Sequence, residues 1–217
     1  MSDTAISILS RMDTTTVSDA LDKLSIDGQC LGIKPLDPKF RLAGPAFTIR
    51  YVPCGIHGGT VGDYIDDLPE GTVMALDNQG RMDATVWGDI LTVVANRKKL
   101  GGTVIDGVCR DAPRSIELKY PIFCRGSYMR TGKDRVAVDA MQVSIAIGGV
   151  RINPGDFLLG DWDGVVVIPK DRIEQVADVA STIEQAENRI RASVEGGERL
   201  DQARKNQGYH LLQTRSK

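Results

Sequence analysis

Apolar residues recur along this chain in discrete blocks of two spacings, one suited to helices and one to strands. After Thr16 the run VSDALDKL has helical spacing, and Asp19 three residues on completes a capping-box pattern, which predicts a helix capped at Thr16. The stretch from Gly28 to Pro38 is turn-rich and should wrap a surface. AFTIRYV (Ala46 to Val52) alternates and is rich in β-branched residues, which predicts a strand. A short helix is expected between Gly58 and Gly71, followed by a compact apolar strand, TVMALD, from Thr72 to Asp77. WGDILTVVANRKK then runs with helical periodicity to a stop at Gly101-Gly102. TVIDG (Thr103 to Gly107) is a buried-strand run, and another strand is expected near Ile122 and Phe123. From Ala137 to Pro169 short strands are split by Gly-Gly, Pro-Gly and Asp-Gly turns. Beyond Pro169 the pattern predicts one long helix over about residues 170–206. Its apolar stripe is Ile173, Val176, Val179, Ala180, Ile183, Ala186, Ile190 and Val194.

No linker, repeat or shift in composition divides the 217 residues, so a single α/β domain over 1–217 is expected. Hydrophobic residues make up 41% and charged residues 26%, which excludes a disordered or disulfide-knotted chain. Lys plus Arg (27) nearly balances Asp plus Glu (29), a net charge of −2 that lacks the basic footprint of a nucleic-acid binder. Nothing has the length of a membrane span, and MSDTAISILS lacks the basic start and apolar run of a secretory signal. A cytoplasmic location is expected.

The inventory of reactive residues narrows the chemistry. Cys30, Cys54, Cys109 and Cys124 contain no CxxC pair, which argues against zinc-ribbon and thioredoxin chemistry. The two histidines are His57 and His210, so a His-rich metal site is excluded and a nucleophile–His–acid triad would need His57. Serine-hydrolase elbow, P-loop and dinucleotide fingerprints are all absent.

The informative segment runs from Trp87 to Glu117. A strand leads into a helix that opens at Gly88, and the first-turn amides around Gly88 to Leu91 have no intrahelical partner. Such an end binds a carboxylate or phosphate, and glycine lets a ligand approach the backbone. The next strand delivers Arg110 and Asp111 beyond its carboxyl end, where open sheets bind ligands. From spacing alone a plain exposed ion pair or helix cap is the better explanation of Arg110-Asp111. Among the other candidates, Lys98, Lys99 and Lys133 are expected to be solvated, and His57 to belong to a glycine turn. Cys109 is expected to be buried filler, Asp161 to Gly164 a hairpin turn, and Glu184 and Glu187 a solvated helix face.

Five segments, TTTVSDALDKL, GIKPLDPKFRLAGPAFTI, WGDILTVVANRKKLGGTVIDGVCRD, GGVRINPGDFLLGDWDGVVVIP and the final helix, carry a resemblance over roughly Thr14 to Leu200. In that order the chain resembles the 4-hydroxy-4-methyl-2-oxoglutarate aldolase family, which also holds the regulators of ribonuclease E activity. The most specific element is GxxL, eighteen residues, then Arg-Asp: Gly88-Asp89-Ile90-Leu91 and Arg110-Asp111.

The resemblance implies that Gly88, Asp89, Ile90 and Leu91 hold pyruvate through their amides and that Arg110 contacts its oxygens. It implies that Asp111 holds Mg²⁺ or Mn²⁺ largely through water, and that Asp89 helps orient a catalytic water. The implied fold is α/β, a layered β/β/α sandwich of the swivelling, phosphohistidine-domain-like type. The implied assembly is a homotrimer or homohexamer with sites between subunits. The implied activity is class II aldol cleavage of a 4-hydroxy-2-oxo acid, of the 4-hydroxy-4-methyl-2-oxoglutarate or 4-carboxy-4-hydroxy-2-oxoadipate type. Oxaloacetate decarboxylation is the expected side activity. The alternative is a non-catalytic, protein-binding regulator. A methyltransferase reading fails because no glycine-rich cofactor loop follows an early strand.

Overall fold

The computed structural model describes residues 3–56 and 58–212. The chain opens with helices α1 (Asp3–Leu9) and α2 (Thr14–Lys23), then strands β1 (Gln29–Cys30), β2 (Lys34–Pro35), β3 (Leu42–Pro53) and β4 (Val73–Thr85). Next come α3 (Asp89–Arg97), β5 (Gly102–Cys109), α4 (Ala112–Leu118), β6 (Ile122–Cys124), β7 (Gly126–Ser127) and β8 (Val136–Met141). The hairpins β9 (Ile145–Ile147) with β10 (Val150–Ile152) and β11 (Phe157–Asp161) with β12 (Gly164–Ile168) precede α5 (Ile173–Glu195), α6 (Leu200–Asn206) and α7 (Tyr209–Leu212).

The result is a mixed α/β fold on one large mixed sheet, ordered β1-β12-β11-β3-β4-β5-β6-β2. Strands β3 to β6 run parallel, and β11, β12, β1 and β2 add antiparallel edges. Only residues 31–33 separate the two end strands β1 and β2, so the sheet curls around an interior. Alternation decides which side each residue faces. On β4, Val73 and Ala75 join an inner cluster with Val104, Phe123, Leu158 and Val165. Met74 and Leu76 face the other way, with Trp87, Ala95, Ile105 and Tyr120 beneath α3 and α4. A third cluster packs α1, α2 and α5 onto Phe157, Leu159, Val166 and Ile168. With both faces covered, β5 is buried along its whole length.

Several expectations change. Helix α2 begins at Thr14 with Asp13 as its N-cap, not at Thr16. The Thr14 amide and hydroxyl instead donate to Asp161 at 2.8 and 2.6 Å, a tertiary cap that local pattern does not reveal. No helix forms among the described residues between Gly58 and Gly71. β4 continues eight residues past Asp77, bending where Gln79 and Gly80 take positive φ, and so reaches the start of α3. The long C-terminal run is broken: α5 ends at Glu195, and Gly197 at φ +91 turns the chain before α6. The apolar stripe of α5 packs within the chain against α1 and α2 from Ile173 to Ile183; Ala186 and Ile190 are buried too, although Val194 remains 40% exposed.

Candidate active site

Trp87 is the post on which the site is built. It is buried, and its ring stacks on Tyr120 with centroids 6.1 Å apart and planes within 6°. Its indole Nε1 donates to Thr92 Oγ1 at 2.9 Å, and the Thr92 hydroxyl donates to the Gly88 carbonyl at 2.9 Å. The first turn of α3 is thereby fixed from inside the core. Arg110 N–H donates to the Trp87 carbonyl at 3.0 Å, which binds the end of β5 to the same turn.

Asp111 sits at φ 58, the left-handed region that Asp tolerates better than most residues. This turn sends its carboxylate back toward α3, where Oδ2 accepts Asp89 N–H at 3.2 Å and lies 3.4 Å from Arg110 Nε. A Cβ on Gly88 would come within 2.9 Å of Asp111 Oδ2 and 3.2 Å of Arg110 Nε. Glycine at 88 therefore makes room for these two side chains.

One departure concerns the amides. Asp89 N–H is taken by Asp111, and Ile90 N–H by Asp89 Oδ1 at 2.8 Å. Among the described residues, the Gly88 and Leu91 amides are the first-turn donors left without a partner. Arg110 ion-pairs with Asp111 through Nε, and its terminal nitrogens form no hydrogen bond among those residues. Gly88, Asp89, Ile90, Leu91 and Arg110 all line one cleft of about 200 Å³. Asp111 is outside that lining, at its edge behind Gly88.

The cleft also takes in residues the sequence had not marked: Thr60 to Asp63, Thr85 and Thr131. Tyr51 hydroxyl donates to the Val61 carbonyl at 2.9 Å, which leaves Tyr64 hydroxyl as donor to Tyr51 at 2.9 Å. Burial first, together with the neighbouring Tyr64, pushes the Tyr51 hydroxyl well up, so this brace stays protonated. No local periodicity distinguishes this irregular loop.

Asp111 keeps Oδ1 free of bonds to the described residues. No trio of His, Cys, Asp or Glu suited to a metal stands together among them. That donor set fits a hydrated Mg²⁺ or Mn²⁺ anchored by one carboxylate and does not fit a closed zinc site.

The remaining candidates fall elsewhere. Cys109 is buried with its Sγ 3.9 Å from Cys124, and that contact and burial push its thiol up, which suits packing. Asp161 to Gly164 is the β11–β12 hairpin, with Asp161 committed to Thr14 and to Asp163 N–H. Lys98 donates to the Asp66 carbonyl and Lys99 pairs with Glu70, both at the surface; neither lines the cleft, nor does Lys133. Glu187 pairs with Arg191 on α5. His57 lies outside the described residues.

Comparison with known proteins adds a family. The model described as RraA-like, Aldolase/RraA, matches residues 14–167. Protein DlpA of Legionella pneumophila is 41% identical over 214 residues, 96% of this chain but 35% of its own length, so this chain spans about a third of that relative. A Halalkalibacterium halodurans protein named "Putative 4-hydroxy-4-methyl-2-oxoglutarate aldolase" is 36% identical over 178 residues, 82% of each chain. Among solved structures, an uncharacterized Pseudomonas syringae protein superposes with a TM-score of 0.88 at 41% identity, covering 94% of this chain and 98% of its own. RraAS2 of Streptomyces coelicolor, described as an unusual member of the RNase ES inhibitor RraA family, gives 0.81 at 30% identity, covering 86% and 96%.

Proposed function

The chain belongs to the RraA-like family, Aldolase/RraA, and from that premise we propose that it is a divalent-metal-dependent class II aldolase. It cleaves a 4-hydroxy-2-oxo acid to pyruvate and a carbonyl compound, and decarboxylates oxaloacetate through the same pyruvate half. The observation that carries this reading is the joining of Arg110 and the Gly88–Leu91 turn in one cleft, with Asp111 bonded to both at its edge.

Cleavage requires loss of the 4-hydroxyl proton, rupture of the C3–C4 bond with its electron pair passing to the pyruvate half, and protonation of C3. The free terminal nitrogens of Arg110 present paired donors to the 2-oxo acid oxygens, and the Leu91 amide adds a donor there. Asp89 uses one oxygen on Ile90 N–H and keeps the other to orient the water that takes the hydroxyl proton. A divalent ion held through Asp111 supplies Lewis acidity toward the developing negative charge when bound.

The same premise supports the finer fold type, a β/β/α sandwich of the swivelling kind. It supports a homotrimer or homohexamer acting on a small 2-oxo acid. No described helix is long and apolar enough to cross a membrane, and with a net charge of −2 neither nucleic acid nor membrane is proposed as a partner. A cytoplasmic location belongs to the same proposal. The likeness to RraAS2 favours a second reading, a protein-binding regulator. The test is pyruvate release from oxaloacetate and 4-hydroxy-2-oxo acids with Mg²⁺, coupled to lactate dehydrogenase. No pyruvate from any of them leaves the regulator.

A further inference from the structure

We infer that Cys109 and Cys124 are a modification site: hydrogen peroxide closes them into an intrachain disulfide that draws Arg110 out of place. The linkage concerns the chain alone, and its effect on turnover rests on the aldolase reading.

The two cysteines meet through an irregularity in strand pairing. Val104 pairs with Phe123 and Val108 with Gly126, so residues 105–107 of β5 face only 124 and 125. Such a bulge re-aims the side chains beyond it. Cys109 and Cys124 thereby share the outer face of the sheet, in the cluster with Trp87, Ile105 and Tyr120. Both are buried, and their sulfurs lie 3.9 Å apart. The pair sits inside the core of one chain, so a second copy cannot come between the sulfurs.

Cys124 Sγ also donates to the Gly126 carbonyl at 3.2 Å. A thiol has one proton, so Cys109 is the donor to Cys124 Sγ. The reduced pair is therefore held sulfur to sulfur. A metal is not its ligand, because no third His, Cys, Asp or Glu stands with it among the described residues.

A disulfide bond is about 2.05 Å long, so sulfurs at 3.9 Å must close by about 2 Å. β6 and β7 are short pieces interrupted at Arg125, and their local opening admits peroxide and lets Cys124 swing. Cys124 Sγ attacks one peroxide oxygen, forming an S–O bond as the O–O bond breaks. The departing hydroxide takes the thiol proton and leaves as water, and Cys124 is then a sulfenic acid. Cys109 Sγ attacks the Cys124 sulfur, the S–S bond forms and the S–O bond breaks. The Cys109 proton departs with that oxygen as a second water. Two thiols have lost two electrons, and the peroxide has gained them.

The consequence reaches the site through one peptide unit. Arg110 follows Cys109, and its amide donates to the Trp87 carbonyl at 3.0 Å. In the sheet order β4-β5-β6, Trp87 lies beyond the end of β4 and Cys124 ends β6, on opposite sides of β5. Drawing Cys109 toward Cys124 therefore pulls Arg110 away from Trp87 and from the first turn of α3.

The experiment treats the assembled full chain with hydrogen peroxide and then with dithiothreitol. Peptide mapping should join Cys109 to Cys124 with the loss of two hydrogens, and hydrogen exchange at the Arg110 amide should quicken. Pyruvate release should fall about a hundredfold, the scale of a misplacement of about 1 Å, and return with dithiothreitol. Cys124→Ser and Cys124→Ala should keep the reduced rate and hold it through peroxide. No link between the two cysteines overturns the inference, and so does a peroxide effect that persists in both variants. A link that leaves the Arg110 amide and turnover unchanged overturns it too. A reduced protein that releases no pyruvate fails the aldolase reading alone, and the linkage and the amide exchange still decide this inference.

Discussion

The carboxylate of Asp111 accepts the backbone N–H of Asp89 at 3.2 Å, joining the loop after β5 to the first turn of α3 across 22 positions of sequence. Because Asp111 is left-handed at φ 58, its substitutions separate charge from backbone. Asn tolerates that conformation and still offers an oxygen to the amide, whereas Ala adds strain of about 1–2 kcal/mol. Asp111→Asn should therefore fold with a near-normal melting temperature yet lose pyruvate release, and its turnover should no longer respond to Mg²⁺. Wild-type turnover should vanish in excess chelator and return with Mg²⁺ or Mn²⁺. Full activity of either sample without divalent ion would contradict the assignment.

Gly88→Ala tests the crowding around that bond. The new methyl would meet Asp111 Oδ2 at 2.9 Å and Arg110 Nε at 3.2 Å, both side-chain atoms able to move aside. The fold should survive, and the cleft should lose its donor geometry. A drop of about a hundredfold in kcat/KM is expected, since a misplacement of about 1 Å has that scale. Unchanged kinetics would mean that the Arg110–Asp111 contact is incidental.

The legible parts of the sequence were those set by local pattern. The Gly88 start of α3, the β5 strand and the hairpin at Asp161 to Gly164 follow from glycine placement and apolar spacing. Residues fixed by distant partners were not legible. Thr14 is the clearest case, because its cap is Asp161, 147 residues away. The break in the C-terminal helix was present as Gly196-Gly197, yet the flanking charged residues continue a helical pattern and hide it. At the site, GxxL and Arg-Asp were legible as a motif. Their wall of Thr60 to Asp63 was not, because it is an irregular loop positioned by Tyr51 and Tyr64.

Thr92 is expected to act by positioning. Thr92→Val keeps the volume but removes the acceptor for Trp87 Nε1 and the donor to the Gly88 carbonyl. Leaving the buried indole N–H unpaired costs about 1–3 kcal/mol of stability. In addition kcat should fall with little change in KM, and Thr92→Ser should restore both. A stability loss with normal kcat would make the network purely structural.

Alkaline stability should reflect Cys30. Burial first, then Asp106, pushes its thiol up from the ordinary 9.0 to about 12. Between those values the unfolded chain has released a proton that the folded chain retains, so stability is full below pH 9 and is lost as pH rises above it. Melting temperature should fall from pH 9 to 11, and Cys30→Ala should flatten part of that fall. The buried Tyr51, Tyr64 and Tyr120 hydroxyls, also pushed up, account for the remainder.

Arg110 divides the two accounts of the Arg-Asp pair most sharply. Its side chain is 40% exposed, and its contact to Asp111 runs through Nε at 3.4 Å. If that ion pair were its whole purpose, replacement would cost at most about 1 kcal/mol of stability and leave catalysis alone. If the free terminal nitrogens bind the 2-oxo acid, replacement removes donors to charge that grows in the transition state, a loss of about 10²–10³ in rate. Lysine cannot hold two oxygens in one plane, so Arg110→Lys should fail nearly as badly as Arg110→Ala. Pyruvate should inhibit the wild type and bind Arg110→Ala more weakly, because the product keeps the half that Arg110 contacts. The measurements are kcat/KM for both variants and the inhibition constant for pyruvate. Near-normal turnover in Arg110→Ala, in a preparation with demonstrated activity, would reduce the pair to a surface contact and remove the residue on which the proposed chemistry turns.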